Sequence, residues 1–420
     1  MNVRNTKSVF LSYSHKDSGE VELFELALRR RGIPLWRDRD NLLRGRVTAH
    51  EIGKACEEAA GFVFYLSQEA ARSEWVRDRE LEDALSAARR NPSLGIVPVF
   101  RDDLETIRTV LDEPGTNMGL EVSNRAGAVI DPRKMKDGRM LAELDRAADD
   151  VFASFLHTLK ETNPSGGVLR LGAATRGGPA LRGHALDLIL DWTVDFGDTQ
   201  NQPPNPTQCD RFLKPALRTL CKGINKYWAG HRIRIVPHCH LSMALALGFQ
   251  FGRNSGYELE VVDPYTKEVW VGPRKRQRGL PEAWDCRQFE SQENENGDVV
   301  VAVCVSRAID TVRTGIENWI NHNGIEVSVS RYYEPTGGTS HNALTGRHRD
   351  EPHRMAVAIV DELDETRKRY PNSKIHFFLV GPPGFAILIG QQLPNVGAVH
   401  TYEWVTETND YRPCFELRDS

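Results

Sequence analysis

Two kinds of hydrophobic pattern take turns over the first 100 residues. Val9–Tyr13 (VFLSY) is a short run of strand formers, and Glu20–Arg31 follows with Val21, Phe24 and Leu28 at helical spacing. Gly32–Trp36 predicts a second strand. Thr48–Ala60 predicts a helix, with Thr48 as N-cap and Glu51 at the capping-box distance. Gly61–Leu66 (GFVFYL) is a near-continuous apolar strand, Ser73–Arg89 a long helix and Gly95–Phe100 (GIVPVF) another strand. Strands apolar on both faces, separated by helices, predict a parallel sheet covered on both sides. Gly32 and Gly61 fall where helices end and strands begin. Residues 101–135 resist a periodic reading, and Leu141–Leu159 resumes a helical one.

Asn163–Gly183 is rich in Gly and Arg with little apolar periodicity, so it reads as a linker. Strands then recur at Leu186–Trp192, Arg232–Val236, Glu258–Val262, Val299–Val305, Ile325–Val329, Ile375–Val380 and Ala398–Tyr402. Helices fit between them at Asp210–Trp228, Arg307–Trp319 and His353–Tyr370. This half repeats itself. RIRIVPHCHLSMALALG, ending at Gly248, lies over KIHFFLVGPPGFAILIG, ending at Gly390, with Ile233/Ile375 and Ala244/Ala386 also identical. Each copy is strand, small or polar loop, apolar helix and glycine, so two similar α/β halves are expected to pack as a pseudo-dimer.

Composition narrows the function. The 420 residues carry 54 Lys plus Arg against 58 Asp plus Glu, a net charge of −4, unlike a general duplex-binding protein. A small phosphate-bearing ligand is not excluded by that balance. No stretch approaches the ~20 apolar residues of a membrane span, and the start MNVRNTKS has no signal-peptide core. Seven cysteines without a CxxC pair point to a reduced, cytoplasmic chain. The second half has no GxxxxGK[ST] loop and no GxGxxG after a strand. His238, Cys239 and His240 are adjacent and cannot easily converge on one tetrahedral ion, so no metal site is expected. Arg274–Arg276 with Arg278 reads as a solvated loop rather than a nucleic-acid patch.

VFLSYSHKD, WRDRDNLLRG, FVFYLSQEAARSEWVRDRELEDAL and GIVPVF, in this order and spacing, resemble the bacterial TIR domain over roughly residues 6–160. The resemblance implies a flavodoxin-like parallel sheet with its functional loops at the carboxyl ends of the strands. TIR domains are either interaction adaptors or enzymes that split NAD. The enzymes use a glutamate on the helix after the third strand, and ELEDAL places that role on Glu80. The family spacing sets it four residues after the tryptophan. Here Trp75 to Glu80 is five, Arg79 stands at the expected place, and alignment from Ala84–Leu85 downstream restores Glu80. On a helix, Leu81, Ala84, Leu85 and Ala88 make the buried stripe with Glu80 beside it, and Glu82 points about 160° away. Ser12, Tyr13 and Ser14 end the first strand, placed either to donate to NAD or to cap their loop. The resemblance puts Trp36, Asp38, Arg44 and Gly45 in a loop that opens the NAD site and contacts neighbouring TIR domains, though Asp38 also suits a turn cap. Trp75 is a core or NAD-platform residue.

HFFLVGPPGFAILIGQQL followed by AVHTYEW resembles the end of SAVED domains, two fused halves similar to the CARF sensors of CRISPR systems. Such domains bind cyclic oligonucleotides in the anti-phage systems called CBASS. The strand-to-helix loops then face the ligand: His238, Cys239, His240 and Ser242 in one half, Gly381, Pro382, Pro383 and Gly384 in the other, with Ser306 and Arg307 as further contacts. Tyr402 and Trp404 are stacking or core residues. The expected architecture is thus α/β throughout: a flavodoxin-like TIR domain (1–160), a linker (161–183) and a SAVED domain (184–420) with Rossmann-like halves at about 184–290 and 291–420. The expected function is a cyclic-oligoadenylate-activated NAD glycohydrolase, cyclic triadenylate favoured. It assembles head-to-tail into an oligomer or filament, and NAD is its substrate rather than a cofactor. The rivals are a non-catalytic TIR scaffold and an enzyme making cyclic ADP-ribose.

Overall fold

The computed structural model describes residues 8–36, 61–74, 76–91, 94–113, 115–162, 167–177, 181, 183–197, 202–228, 230–252, 256–263, 266–273, 275, 277–290 and 297–418. The expected helix 48–60 and the expected site residues Asp38, Arg44, Gly45 and Trp75 lie outside them, as do Arg274 and Arg276. The chain divides into two compact units. The first is Met1–Gly167 with Gly183–Leu190 and Lys222–Trp228, and the second is the remainder. No helix among the described residues is long and apolar enough to cross a membrane.

In the first unit, β1 (Val9–Ser12), β2 (Leu35–Trp36), β3 (Gly61–Leu66), β4 (Gly95–Phe100) and β5 (Ala128–Val129) form a sheet in the order β2-β1-β3-β4-β5. All four of its pairings are parallel. This is the flavodoxin-like order, whose switch point lies between β1 and β3. The helix α1 (Ser18–Arg30) buries Val21, Phe24 and Leu28, as its spacing requires. It ends at Gly32, whose φ of +96° is the left-handed stop that glycine adopts without cost. The expected long helix Ser73–Arg89 is instead two pieces, preceded by a separate short helix. The helix α2 (Gln68–Arg72), N-capped by Ser67, stops at Ser73 in extended backbone. A π-helical turn, Val76–Leu81, then runs into α3 (Glu82–Arg90). Leu81, Ala84, Leu85 and Ala88 face Phe64 and Phe100 in the core, as expected. Residues 101–135 hold the short helices α4 (Leu104–Asp112), α5 (Met118–Ser123) and α6 (Pro132–Lys136) around β5, each too brief to show a period. The unit closes with α7 (Met140–Thr162).

The second unit begins inside the stretch expected to be linker. β6 (Leu169–Ala174) buries every residue but Arg170 and pairs parallel with β8 (Arg232–His238). Its flanking Gly and Arg residues hide a strand six residues long. The expected strand at Leu186–Trp192 is β7 (Leu188–Asp191), and the helix before β8 is α8 (Lys214–Trp228). β8 leads into α9 (Leu241–Gln250), then β9 (Glu258–Val262) and β10 (Val269–Gly272), with β10, β9, β8 and β6 neighbours in that order.

The second half repeats the plan. β12 (Asp298–Cys304) pairs parallel with β14 (Ile375–Val380), which leads into α12 (Pro383–Gln392) and β15 (Val399–Val405). Its sheet runs β11-β13-β12-β14-β15-β16, with β11 (Trp284–Glu290) and β16 (Asp410–Leu417) added antiparallel at the edges. β13 is Val327–Pro335, and the outer helices are α10 (Ile309–Asn323) and α11 (Glu351–Arg369).

The two halves meet through α9 and α12. A Cβ built on Gly248 would stand 2.1 Å from the Ile387 carbonyl oxygen, and one on Gly390 would stand 2.2 Å from that of Leu245. Each carbonyl belongs to the residue three before the opposite glycine, so the crossing is reciprocal and backbone touches backbone. Gly248→Ala or Gly390→Ala must push the helices apart. At about 1–3 kcal/mol for overpacking, and about 2–4 °C per kcal/mol in a unit of this size, either should lower the Tm of the second unit by about 2–12 °C in calorimetry. Gly19→Ala, which meets nothing within 4 Å, should not.

Candidate functional site

The first unit gathers polar groups at the carboxyl ends of its central strands. Ser12 ends β1 and is 2% exposed, while Glu80, on the π-helical turn, is 7% exposed. The Ser12 hydroxyl donates to Glu80 Oε2 at 2.5 Å across 68 residues of sequence. Glu82, two positions on, is exposed as expected. The π turn also accounts for the spacing. It accommodates one residue more than an α turn, matching the one-residue excess between Trp75 and Glu80. Ser14 spends its side chain accepting the Lys16 N–H, the capping alternative, and Tyr13 lies edge-on to the His15 ring. Trp36 ends β2.

A second polar network, which the motif reading did not single out, follows the same strand ends. The Ser67 hydroxyl donates to Asp17 Oδ2 at 2.5 Å, and burial raises the Asp17 carboxyl above its ordinary range. Arg101, just past β4, grips Glu20 with two hydrogen bonds of 2.6 and 3.0 Å, and Tyr65 donates to the same carboxylate at 2.9 Å. The Arg101 bonds hold the Glu20 carboxyl below the usual range. The available signal was position: Asp17, Ser67 and Arg101 each follow a parallel strand within a few residues.

In the second unit, the loops after β8 and β14 divide sharply. His238 is half-buried, with Nε2 3.4 Å from the Gly177 carbonyl. Cys239, His240 and Ser242 are 2%, 1% and 0% exposed, so, against expectation, they leave a ligand no surface to touch. His240 is a core group: its N–H donates to Thr175 Oγ1 at 2.7 Å, its Nδ1 lies 2.6 Å from that hydroxyl, and its ring stacks on Phe196. The backbone N–H of Ser242, in the first turn of α9, donates to Glu403 Oε1 at 2.5 Å. The first turn of α9, expected to receive a phosphate, thus holds a carboxylate of the chain's own. Burial raises that carboxyl, opposed by the Ser242 and Leu241 N–H groups and the Arg176 charge.

The other half is more open. Ser306, Gly381, Pro382 and Pro383 are half-buried and Arg307 is exposed, while Gly384 is enclosed. A Cβ on Gly384 would meet Val261 at 3.0 Å and Trp270 at 3.1 Å. Tyr402 is a core residue, stacked on Phe378 at 4.5 Å and hydrogen-bonded to His376, and Trp404 packs on Tyr411.

Burial first, then the positive charges of Arg176 and His238, lower the His240 pKa from 6.5 to about 3. A base lowered in the folded state binds protons only when the chain unfolds, so its stabilising contribution is complete above pH 6.5 and is lost on acidification from 6.5 towards 3. Unfolding free energies from urea titration of wild type and His240→Gln should therefore converge as the pH falls from 7 to 5, by about 2 kcal/mol at pH 5. A constant difference between the two proteins would contradict this.

Comparison with known proteins agrees with this architecture. A TIR domain model matches residues 9–148, and a model described as the SMODS-associated and fused to various effectors sensor domain (SAVED) matches 217–417. The disease resistance protein RUN1 of Vitis rotundifolia is 36% identical over 99 residues, which are 23% of this chain and 7% of that protein. The Acinetobacter baumannii Cap4 SAVED/CARF-domain receptor, solved with the cyclic trinucleotide 2′3′3′-cAAA, aligns over 90% of this chain and 87% of its own at 14% identity and a TM-score of 0.48. The Moraxella osloensis Cap4 receptor aligns over 98% and 88% at 16% identity and 0.41. With both matches in place on a flavodoxin-like unit and a pair of fused α/β halves, the chain is a TIR–SAVED fusion.

Proposed function

We propose that this protein is an NAD glycohydrolase switched on by a cyclic oligonucleotide, its TIR unit cleaving NAD to nicotinamide and ADP-ribose when its SAVED unit binds a cyclic oligoadenylate. The observation that carries the proposal is the Glu80 carboxylate, enclosed at the carboxyl edge of the sheet and 2.5 Å from the Ser12 hydroxyl. An ordinary helix carboxylate would sit in water, as Glu82 does.

The chemistry asks for little more. Nicotinamide in NAD is a pyridinium and departs as a neutral base, taking the glycosidic electron pair, so no acid must protonate it. The ribose carbon left behind is oxocarbenium-like. A fixed anion beside it stabilises the developing charge, water adds to that carbon, and a proton is released. One carboxylate suffices where ordinary glycoside hydrolysis uses two. Ser12 acts as a positioning residue, its hydrogen bond setting the direction of the carboxylate.

Support for a three-membered ring comes from the unequal helix starts of the SAVED unit. Ser242 and Gly384 hold matching places six residues before their glycines, but Ser242 faces Glu403 and Gly384 faces Val261 and Trp270. A ring with a two-fold axis would present equal phosphates to unequal ends. A trinucleotide has no such axis in its ring. Ligand binding then creates a surface for the next molecule, and a head-to-tail contact that does not close grows into a filament. In the anti-phage setting of SAVED proteins, the output is loss of cellular NAD.

Glu80→Gln should lower NAD cleavage by about 10²–10³-fold, the loss expected for a key electrostatic group, with activator binding unchanged. Glu82→Gln should change it less than about twofold. Retention of a tenth of the wild-type rate by Glu80→Gln would remove Glu80 from the mechanism. Chromatography of the products separates ADP-ribose from its cyclic form, and absence of both returns the scaffold reading. Light scattering should rise when cyclic triadenylate is added. A ligand-saturated monomer cleaving at full rate would end the assembly proposal.

A further inference from the structure

The reciprocal glycine crossing allows positions in the two halves of the SAVED unit to be matched one to one. His238 and Val380 each lie ten residues before their glycine, at the ends of β8 and β14. Their partners on the neighbouring parallel strands are Ala174 of β6 and Cys304 of β12. The next hydrogen bond is also duplicated: Thr175 N–H donates to the His238 carbonyl and Val305 N–H to the Val380 carbonyl, at 3.3 and 2.8 Å. The chain therefore leaves both strands in the same way. Arg176 stands two residues past Ala174, and Arg307 three past Cys304.

Both arginines are exposed at the carboxyl edges of their sheets, where open α/β sheets bind ligands. Neither guanidinium makes a hydrogen bond or ion pair among the described residues. Each nonetheless acts on the same neighbourhood. The charge of Arg176 is felt by Cys239, His240 and Glu403, that of Arg307 by Tyr411, and Tyr411 also feels Glu403. Glu403 and Tyr411 belong to the paired strands β15 and β16. The Glu403 carboxyl, which the Arg176 charge reaches, is already engaged by the Ser242 N–H.

We propose that Arg176 and Arg307 form a matched pair of phosphate-binding arginines, one from each half, that grips two phosphodiesters of a cyclic oligonucleotide. This rests on the cyclic-oligonucleotide reading above and adds to it the residue Arg176, from a stretch whose composition reads as linker. A guanidinium presents a planar fork that fits a phosphate with two parallel hydrogen bonds. With α9 capped by Glu403, the ring's negative charge is met by side chains in that half rather than by the helix start.

The test is calorimetric titration of the full chain with 3′3′3′- and 2′3′3′-cyclic triadenylate. Arg176→Ala and Arg307→Ala should each weaken binding by about 10- to 100-fold, the range for a lost charged hydrogen-bonding partner. Arg176→Lys keeps the charge beside Glu403 and should fall between Arg176→Ala and wild type. Arg170→Ala, near the other end of β6, should bind as wild type. The Tm of each variant separates lost contact from lost folding, and a normal Tm with weakened binding for Arg176→Lys stands even if Arg176→Ala unfolds. Unchanged affinity in Arg176→Ala or Arg176→Lys, with Arg307→Ala weakened, overturns the pair and leaves the sensor reading intact. Failure of both rings to bind the unsubstituted protein overturns the sensor reading and the pair with it.

Discussion

The close approach of two helix backbones at Gly248 and Gly390 organises the whole sensor unit. With no Cβ on either glycine, each helix rests against a carbonyl of the other, closer than any side chain would permit. Each helix is buried along nearly its full length, so neither could be covered by its own half alone. The crossing holds the helices that follow β8 and β14 in one register, and so fixes where the two strand-to-helix loops stand. Reading the loops as parts of one pocket depends on that contact.

The TIR unit solves a different problem: keeping a carboxylate away from bulk water yet directed. The π turn supplies one extra residue at the point where the chain needs Glu80 inward and Glu82 outward. Ser12 comes from the adjoining strand end and takes one carboxylate oxygen. The Glu20–Arg101 pair and the Asp17–Ser67 bond tie the neighbouring loops to one another. A site built this way depends on the sheet more than on any one loop.

Much of this was legible in the residues. The strand motifs of the TIR unit are long, apolar and ordered, and the repeated pattern ending at Gly248 and Gly390 announced the two halves. The burial of Glu80 follows from the apolar stripe beside it. Other features had no local signature. β6 is a short strand among glycines and arginines, and its value lies in pairing with β8, about 60 residues away in sequence. Glu403 lies between Tyr402 and Trp404, and nothing nearby in sequence marks it as the cap of a helix 161 residues earlier. His240 looked like a ligand because histidine is usually polar. Only Thr175 and Phe196, distant in sequence, make it a core residue. Patterns of period and motif report what neighbours in sequence do; these positions are decided by partners that the pattern cannot name.

Where one helix start is capped by Glu403, Val261 stands beside Gly384 at the start of the other. In a dimer of identical chains this inequality could not arise, because every substitution would appear twice. Joining the halves into one polypeptide releases them from that duplication. Each can drift while the crossing between them is held by two glycines, and a recognition surface can acquire a direction that a true two-fold assembly must lack. Such a surface can tell one position around a ring from another.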